Sequence, residues 1–288
     1  MSGLDGHPHA GHHATTTNPT ATGALIVKLG GRALEAPGAL EECATALRAI
    51  AATGRPTLVL HGGGAEVTAW CQRAGIEARF ADGLRVTDEP TLEIAAAVLA
   101  GLANKRLVAA LRARGVDAVG LSVLDGGIVR AQRHARTEVL GEVGEVASVD
   151  PSLLATLLAT GRLPVLASLG DDGAGALLNL NADDVAAAIA AALPQSELVL
   201  LSDTPGLKLG GEVVRDVRAH ELPALLEHPE VLGGMRPKLR AAATSLAAGV
   251  RRVHIAAWQG PETLAALLAG TGRATTLHAA SLNEESHA

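Results

Sequence analysis

Aromatic residues are almost absent from this 288-residue chain, which has no tyrosine and a single phenylalanine, Phe80. Hydrophobic residues still make up 48% of the sequence, so a sizeable core must be built from alanine, leucine and valine. Cysteine is scarce as well: Cys43 and Cys71 are the only two, and both fall within helical patterns. Two isolated cysteines give neither a disulfide framework nor a zinc site, and they fit a reducing cytoplasm.

The chain also lacks an excess of positive charge and a long uninterrupted apolar run. Its formal net charge is −6, which argues against nucleic-acid binding because such proteins need a basic face. No apolar run reaches the length of a membrane span without a charge or a glycine, so we expect a soluble protein with no membrane contact. Residues 1–22 are polar and lack the apolar core of a secretory signal, and we interpret them as a disordered tail.

Two common nucleotide-binding motifs are missing. No GxxxxGK[ST] segment occurs, which excludes a P-loop, and no GxGxxG follows a predicted strand, which leaves a Rossmann dinucleotide site unsupported.

From residue 24 onward, short apolar runs alternate with amphipathic stretches. The predicted strands are 24–29, 57–60, 116–120, 163–167, 197–201 and 253–256. The predicted helices are 38–53, 65–74, 89–114, 150–160, 182–192, 236–249 and 261–269. Apolar strands separated by helices predict an α/β fold with a mainly parallel sheet covered on both faces. Residues 122–148 and 203–217 interrupt the pattern as short strands or hairpins, and we expect them at the mouth of the sheet.

Glycines follow the first two predicted strands. Lys28 ends the first strand and precedes Gly30 and Gly31, and the second strand runs into HGGG, which includes Gly63 and Gly64. Consecutive glycines let backbone N–H groups approach an anion, and the dipole of a following helix favours negative charge there. A tight turn is the alternative, although one or two glycines would suffice for it.

Amide and acidic side chains cluster in the segment LLNLNADDV. Asn179, Asn181, Asp183 and Asp184 all lie at the start of an apolar helix. A helix needs one N-cap, so at least one of the four is available for a ligand. Two cations are less distinctive on their own. Arg85 could bind a carboxylate through two hydrogen bonds, but taken alone it is better interpreted as an ordinary surface arginine. Lys238 lies near the start of a predicted helix, where a solvated surface lysine is the commonest role.

Six segments occur in the order and approximate spacing of the amino-acid kinase family: KLGG, HGGG, GLRVTD, NLNADD, LLSDTPGL and GGMRPK. From about residue 24 to 279 the chain resembles this family, and it is most similar to members that phosphorylate N-acetyl-L-glutamate in arginine synthesis. The resemblance implies a three-layer αβα sandwich and the use of ATP and Mg²⁺. It also implies one domain over 23–280, with a C-terminal tail at 281–288.

Matched position by position, the resemblance assigns roles to individual residues. Two lysines would stabilise the transferring phosphoryl group and an acid would orient them; these catalytic residues are Lys28, Lys238 and Asp183. The residues implied to bind N-acetyl-L-glutamate are Gly63, Gly64, Arg85 and Asn179. The residues implied on the nucleotide side are Gly30, Gly31, Asp203 and Gly206. No side chain is expected to bind the metal, because ATP phosphates would hold Mg²⁺. Residues 23–195 would handle the substrate and 196–280 the nucleotide.

A carboxylate acceptor makes chemical sense of this set. A glutamate side chain, with a pKa of about 4.3, is ionised at pH 7, so no general base is needed. The barrier is repulsion between two anions, which lysines, backbone N–H groups and a metal reduce.

Two other functions remain open. A related kinase for an N-blocked aminoadipate in lysine synthesis would share the same phosphate machinery. A non-catalytic amino-acid sensor would be expected to have lost a lysine or the acid, and all three are present. Arginine-inhibited hexamers of the family carry an N-terminal helix, and residues 1–22 lack its amphipathic period. We therefore predict a cytoplasmic homodimer without arginine feedback.

Overall fold

The computed structural model describes residues 23–30, 34 and 38–279. The predicted tails at 1–22 and 281–288 lie outside the described residues.

An eight-stranded sheet runs through the molecule. In spatial order its strands are β14 (Asp216–Arg218), β16 (Ala274–His278), β15 (Arg252–Ala257), β11 (Glu197–Ser202), β1 (Leu25–Leu29), β2 (Thr57–His61), β8 (Leu163–Ala167) and β5 (Ala118–Ser122). Every neighbouring pair is parallel except β15 and β16. The predicted mainly parallel sheet is confirmed. In register, Lys28 lies beside Leu60 of β2 and Leu200 of β11, so these strands end at one edge.

Helices cover both faces of the sheet. One face carries α1 (Ala39–Ala51), α3 (Glu89–Arg112) and α9 (Thr263–Leu268). The other carries α6 (Ala182–Ala192), α7 (Leu222–Leu226) and α8 (Met235–Ala247). Successive strand residues point to opposite faces: Ile26 packs with α6 and α8, whereas Leu25 and Val27 pack with α1 and α3. This is the expected three-layer αβα sandwich.

The remaining elements lie around the sheet. Four short strands form a closed barrel: β6 (Val129–Arg133), β7 (Val143–Val149), β9 (Leu169–Asp171) and β10 (Leu177–Leu180). Two hairpins pair β3 (Phe80–Ala81) with β4 (Leu84–Arg85), and β12 (Lys208–Leu209) with β13 (Glu212–Val213). The other helices are α2 (Gly64–Arg73), α4 (Thr137–Leu140) and α5 (Ser152–Ala159).

The segments that interrupt the sequence pattern have distinct outcomes. The hairpin turning at Gly210–Gly211 is confirmed. Residues 122–148 do contain short strands, but these join two later strands to close the barrel, which the sequence did not predict. The first two predicted residues of the strand at 116–120 are wrong, because β5 covers Ala118–Ser122. Strands β14 and β16 were missed, since neither has a continuous apolar run.

Helix α3 is, within the part of the chain that the structure describes, the single helix long and apolar enough to cross a membrane, with a mean hydropathy of 1.6. In the fold it packs against α1, α2 and the sheet. Its buried side chains include Val98, Leu99, Leu107 and Leu111. We therefore interpret it as a helix of the outer layer, with one side buried against the rest of the fold.

Candidate active site

Two lysines and one aspartate meet at the carboxyl edge of the sheet. Lys28 is near the end of β1, Asp183 is in the first turn of α6, and Lys238 is in the first turns of α8. The Lys28 Nζ lies 2.9 Å from Asp183 Oδ1, and the Lys238 Nζ donates to Oδ2 at 2.5 Å. The three side chains are separated by up to 210 positions in sequence, so the fold alone brings them together.

The Asp183 carboxylate stays ionised in this buried position. Burial by itself raises the pKa of Asp183, but the charges and hydrogen bonds of Lys28 and Lys238 outweigh it and hold the pKa below its ordinary value. The positive end of the α6 dipole acts in the same direction. One carboxylate therefore holds two ammonium groups side by side at the edge where the strands end.

Gly30 makes room for the first lysine. A Cβ at this position would lie 2.4 Å from the Lys28 Nζ and 3.2 Å from the Leu201 carbonyl oxygen. A side chain here would displace the ammonium group, so glycine is required. Gly31, the other predicted residue of this turn, lies outside the described residues.

A cavity of about 200 Å³ opens at the start of α6. It is lined by Gly63, Gly64, Arg85 and Asn179, four residues that the sequence assigned to one substrate site, and by Ala182 next to Asp183. A Cβ at Gly63 would lie 2.8 Å from the Leu99 Cδ2, so any other residue here would displace the Leu99 side chain of α3.

Arg85 presents an unsatisfied donor at the cavity wall. Its Nη2 donates to the Gly64 carbonyl at 2.6 Å and to Thr68 Oγ1 at 2.7 Å, and its guanidinium lies 4.8 Å from the centre of the Phe80 ring. Its Nη1 is buried and finds no acceptor among the described residues. Burial lowers the pKa of Arg85, but an arginine remains charged at neutral pH. A buried cation with a spare donor is suited to a carboxylate.

The four polar residues around the start of α6 have different roles. Asn181 is the N-cap and accepts from the backbone N–H groups of Asp183 and Asp184 at 2.8 and 3.2 Å. Asn179 lines the cavity and donates to Thr87 Oγ1 at 3.1 Å. Asp184 faces a different groove, and burial with the nearby charges of Asp183 and Glu145 raises its pKa to about 6. Capping thus uses only one of the four, as the sequence suggested.

Comparison with known proteins identifies the family. The model of the amino acid kinase family matches residues 23–257. This chain belongs to the amino acid kinase family.

The relatives share most of the chain's length. It is 41% identical over 251 residues to the acetylglutamate kinase of Symbiobacterium thermophilum, covering 83% of this chain and 86% of the relative. It is 39% identical over 235 residues to the chloroplastic acetylglutamate kinase of Arabidopsis thaliana, covering 80% and 68%. A crystal structure of N-acetylglutamate synthase from Neisseria gonorrhoeae, complexed with coenzyme A and N-acetyl-glutamate, superposes with a TM-score of 0.78 at 25% identity, covering 90% of this chain and 60% of that one.

In this amino acid kinase, the two residues predicted on the nucleotide side after β11 differ in their surroundings. Asp203 is exposed just beyond the strand end. Gly206 is buried, and a Cβ there would lie 2.5 Å from Thr275 Oγ1 and 2.8 Å from the Thr275 nitrogen. Close packing against β16 therefore explains this glycine without any ligand.

The amino acid kinase site offers no metal-binding cluster: within the described ranges, no group of three or more His, Cys, Asp or Glu side chains is placed to hold an ion. The carboxylate nearest the lysines, Asp183, already contacts both ammonium groups. The side chains at this site therefore suit an anion. They suit a metal ion only if the anion itself binds the metal.

Sequence reasoning missed the supports of the cavity. His61 and Asn104 form a buried hydrogen-bonded pair behind the glycine loop, and Phe80, Thr68 and Thr87 fix Arg85 and Asn179. The histidine of HGGG was visible as part of a motif. Its partner on α3 lay 43 positions away, and no sequence signal connected the two.

Proposed function

We propose that this amino acid kinase transfers the γ-phosphoryl group of ATP to the side-chain carboxylate of N-acetyl-L-glutamate, a step of arginine synthesis. The observation that carries the proposal is the pair of ammonium groups on Asp183 beside a cavity with a spare buried guanidinium donor. The curated relatives named acetylglutamate kinase support the choice of substrate.

The amino-acid substrate binds in the cavity. Arg85 holds a carboxylate of the substrate through Nη1, and Asn179 contributes an amide group that suits the polar part of an N-acetylated amino acid. The N–H groups of Gly63 and Gly64 face the reacting end of the substrate. The acceptor carboxylate is ionised at neutral pH, so no side chain needs to remove a proton.

The lysines act on the phosphoryl group. Lys28 and Lys238 place two positive charges where the transferring group and its leaving oxygen carry negative charge, which lowers the repulsion between the two reactants. Asp183 orients both ammonium groups and takes no proton, because its pKa lies below its ordinary value. Mg²⁺ bound to the ATP phosphates supplies further charge neutralisation when present.

Different parts of the chain bind the two substrates. Residues 23–195 mainly bind the amino acid and 196–280 the nucleotide. Gly30 and Gly31 are the exception, since they join Asp203 on the nucleotide side.

We further propose a cytoplasmic homodimer without arginine feedback. Helix α3 offers small apolar residues for such a contact, at Ala96, Ala97, Ala100 and Gly101. Light scattering should give twice the chain mass of 29.1 kDa; a mass of six chains, or inhibition by sub-millimolar arginine, would contradict this.

The test of the activity is ADP release with Mg-ATP and either N-acetyl-L-glutamate or N-acetyl-aminoadipate. Faster turnover with acetylglutamate, lost in Lys28→Ala, supports the proposal. A preference for the longer amino acid would assign the chain to lysine synthesis with the same machinery. Folded protein that binds the amino acid and releases no ADP would be a sensor.

A further inference from the structure

His61 is buried directly behind the glycine loop that lines the cavity. It is the last residue of β2, its exposed fraction is 0%, and it immediately precedes Gly62, Gly63 and Gly64. Its Nδ1 lies 2.9 Å from the Gly62 carbonyl oxygen, and its Nε2 lies 3.1 Å from Asn104 Nδ2. Both ring nitrogens therefore have partners.

The partners determine which nitrogen carries the proton. Asn104 Nδ2 also donates to the carbonyls of Val165 at 2.9 Å and Leu121 at 3.3 Å, and Asn104 Oδ1 accepts from Lys105 Nζ at 3.1 Å. The amide nitrogen, which can only donate, therefore faces Nε2, so Nε2 carries no proton. The proton is on Nδ1, which donates to Gly62. Burial above all, with a smaller contribution from the Lys105 charge, lowers the pKa of His61 to about 4, so the ring is neutral at pH 7.

This hydrogen bond fixes the direction of one peptide group. In a trans peptide the carbonyl and the following N–H point in opposite directions. The Gly62 carbonyl points to His61, so the N–H of Gly63 points away from the ring, and Gly63 itself lines the cavity. Among the residues that the structure describes, no acceptor is found for this N–H.

A local irregularity of α3 places Asn104 against His61. The buried residues Thr91, Ala95, Val98 and Leu99 follow at intervals of an α-helix, but the next buried residue, Asn104, comes five positions after Leu99. Residues Ala97–Ala103 are π-helical, and the wider turn accounts for this interval. The same segment brings Leu99 against Gly63, so α3 supports the loop from two points.

We propose that His61 is a positioning residue for phosphoryl transfer: it holds the Gly62 carbonyl and thereby aims the Gly63 N–H at the reacting groups. The proposal rests on the function proposed above. His61 itself contacts neither reactant. Flexible glycines have no preferred orientation of their own, and a buried neutral donor supplies one.

Two variants separate the two hydrogen bonds of the ring. The amide nitrogen of His61→Asn occupies the position of Nδ1 and can still donate to Gly62. The amide of His61→Gln reaches the position of Nε2, where its oxygen can accept from Asn104, but it leaves Gly62 without a donor. Both substitutions introduce a polar side chain of similar size at the same buried place, so each is the control for the other.

The expected readout is kcat per folded molecule. We expect His61→Asn to stay within about threefold of the wild type and His61→Gln to lose about 10- to 100-fold, since misdirecting one backbone donor removes stabilisation made in the transition state. KM for ATP should be unchanged. Equal kcat in His61→Gln and wild type, or equal losses in both variants, would overturn the proposal.

Crystal structures of both variants test the orientation independently of turnover. The Gly62 carbonyl should keep its direction in His61→Asn and rotate in His61→Gln. An unchanged carbonyl in His61→Gln would overturn the positioning role, whether or not the wild type is active. Absence of ADP release by the wild type would instead count against the proposed function. His254→Gln is the matched control for loss of a buried histidine. His254 bonds to Thr276 within β15 and β16, outside the cavity, and its kcat per folded molecule should equal that of the wild type.

Discussion

Asp183 holds two positive charges together in a place with little access to water. Lys28 and Asp183 are each only 8% exposed, and without the carboxylate the two ammonium groups would face each other unscreened. Burial of a charge is costly unless it is paired, and here one acid pairs with both lysines. The arrangement leaves one net positive charge, which suits the binding of an anion.

Replacing Asp183 by asparagine should therefore impair catalysis per folded molecule. Asp183→Asn keeps the shape and the helix start but removes the charge that orients both lysines, and we expect kcat to fall about 100-fold. ADP release at saturating substrates measures it. Asp184→Asn is the matched control, one residue further along the same helix and facing another groove; a loss in kcat as large as that of Asp183→Asn would show that general charge, not orientation, matters.

Arg85 should determine affinity for the amino acid. Arg85→Lys retains the charge but cannot supply Nη1 while also holding Gly64 and Thr68. Loss of one charged hydrogen bond of about 2 kcal/mol predicts a KM for acetylglutamate raised about 30-fold, with KM for ATP unchanged. Steady-state kinetics with each substrate varied in turn measures both. Arg79→Lys, on an exposed arginine at the same hairpin, should change neither constant.

The roles of the site residues were predicted from the resemblance to the family, and some of these residues also lie at the end of a predicted strand or at a helix start. Lys28 and Asp183 were recognisable from such positions. Their supports were not: Asn104 lies mid-helix, and its inward direction depends on the π-helical turn at Ala97–Ala103. A helix of constant period would have placed the following buried face differently.

At the scale of elements, the closed barrel shows the limit of pattern analysis. Its strands are three to seven residues long, and β10 pairs in parallel with β7 and antiparallel with β9. Polar residues interrupt β6 and β7, and the pairing of the barrel strands depends on contacts distant in sequence. The mainly apolar strands β1, β8 and β11 were by contrast predicted within one residue of their bounds.

The turn between β11 and β12 depends on one crowded glycine. Gly206 has a φ of 136° and no room for a Cβ next to Thr275, so Gly206→Ala should lower the free energy of unfolding by about 2 kcal/mol or more. Gly210→Ala is the control, with a positive φ of 57° but open space around it, and should cost about 1 kcal/mol. Urea unfolding followed by circular dichroism measures both. Equal losses would mean that backbone conformation, not packing, sets the cost.

At the scale of the whole molecule, buried polar groups lie at both ends of the strands of the sheet. The carboxyl ends carry His61 and the lysine–aspartate cluster. The opposite region carries Glu197, 2% exposed and paired with Arg55, Arg251 and Arg252. Burial tends to raise the pKa of Glu197, but hydrogen bonding and the charges of the arginines hold it below its ordinary value. Acid should therefore weaken the fold at both ends.

Two buried histidines also contribute to the acid sensitivity of the fold, and their contribution can be measured separately from that of the carboxylates. Burial is the main cause that lowers the pKa of both His61 and His254 to about 4. The unfolded chain binds protons at these histidines from pH 6.5 downward, whereas the folded chain resists until about pH 4, so the free energy of unfolding must fall as the pH falls through this window. Each histidine accounts for up to about 3 kcal/mol of that fall.

The variants His61→Asn and His254→Asn should each have a lower free energy of unfolding than the wild type at pH 7. That free energy should fall less in these variants than in the wild type when the pH is lowered. Urea unfolding at pH 7 and pH 4.5 gives the difference for each protein. The contributions of Asp183 and Glu197 remain in every variant and cancel in the comparison. His220→Asn changes an exposed histidine and should reproduce the wild-type difference. If the buried-site variants also reproduce it, folding does not lower the pKa values of the two histidines.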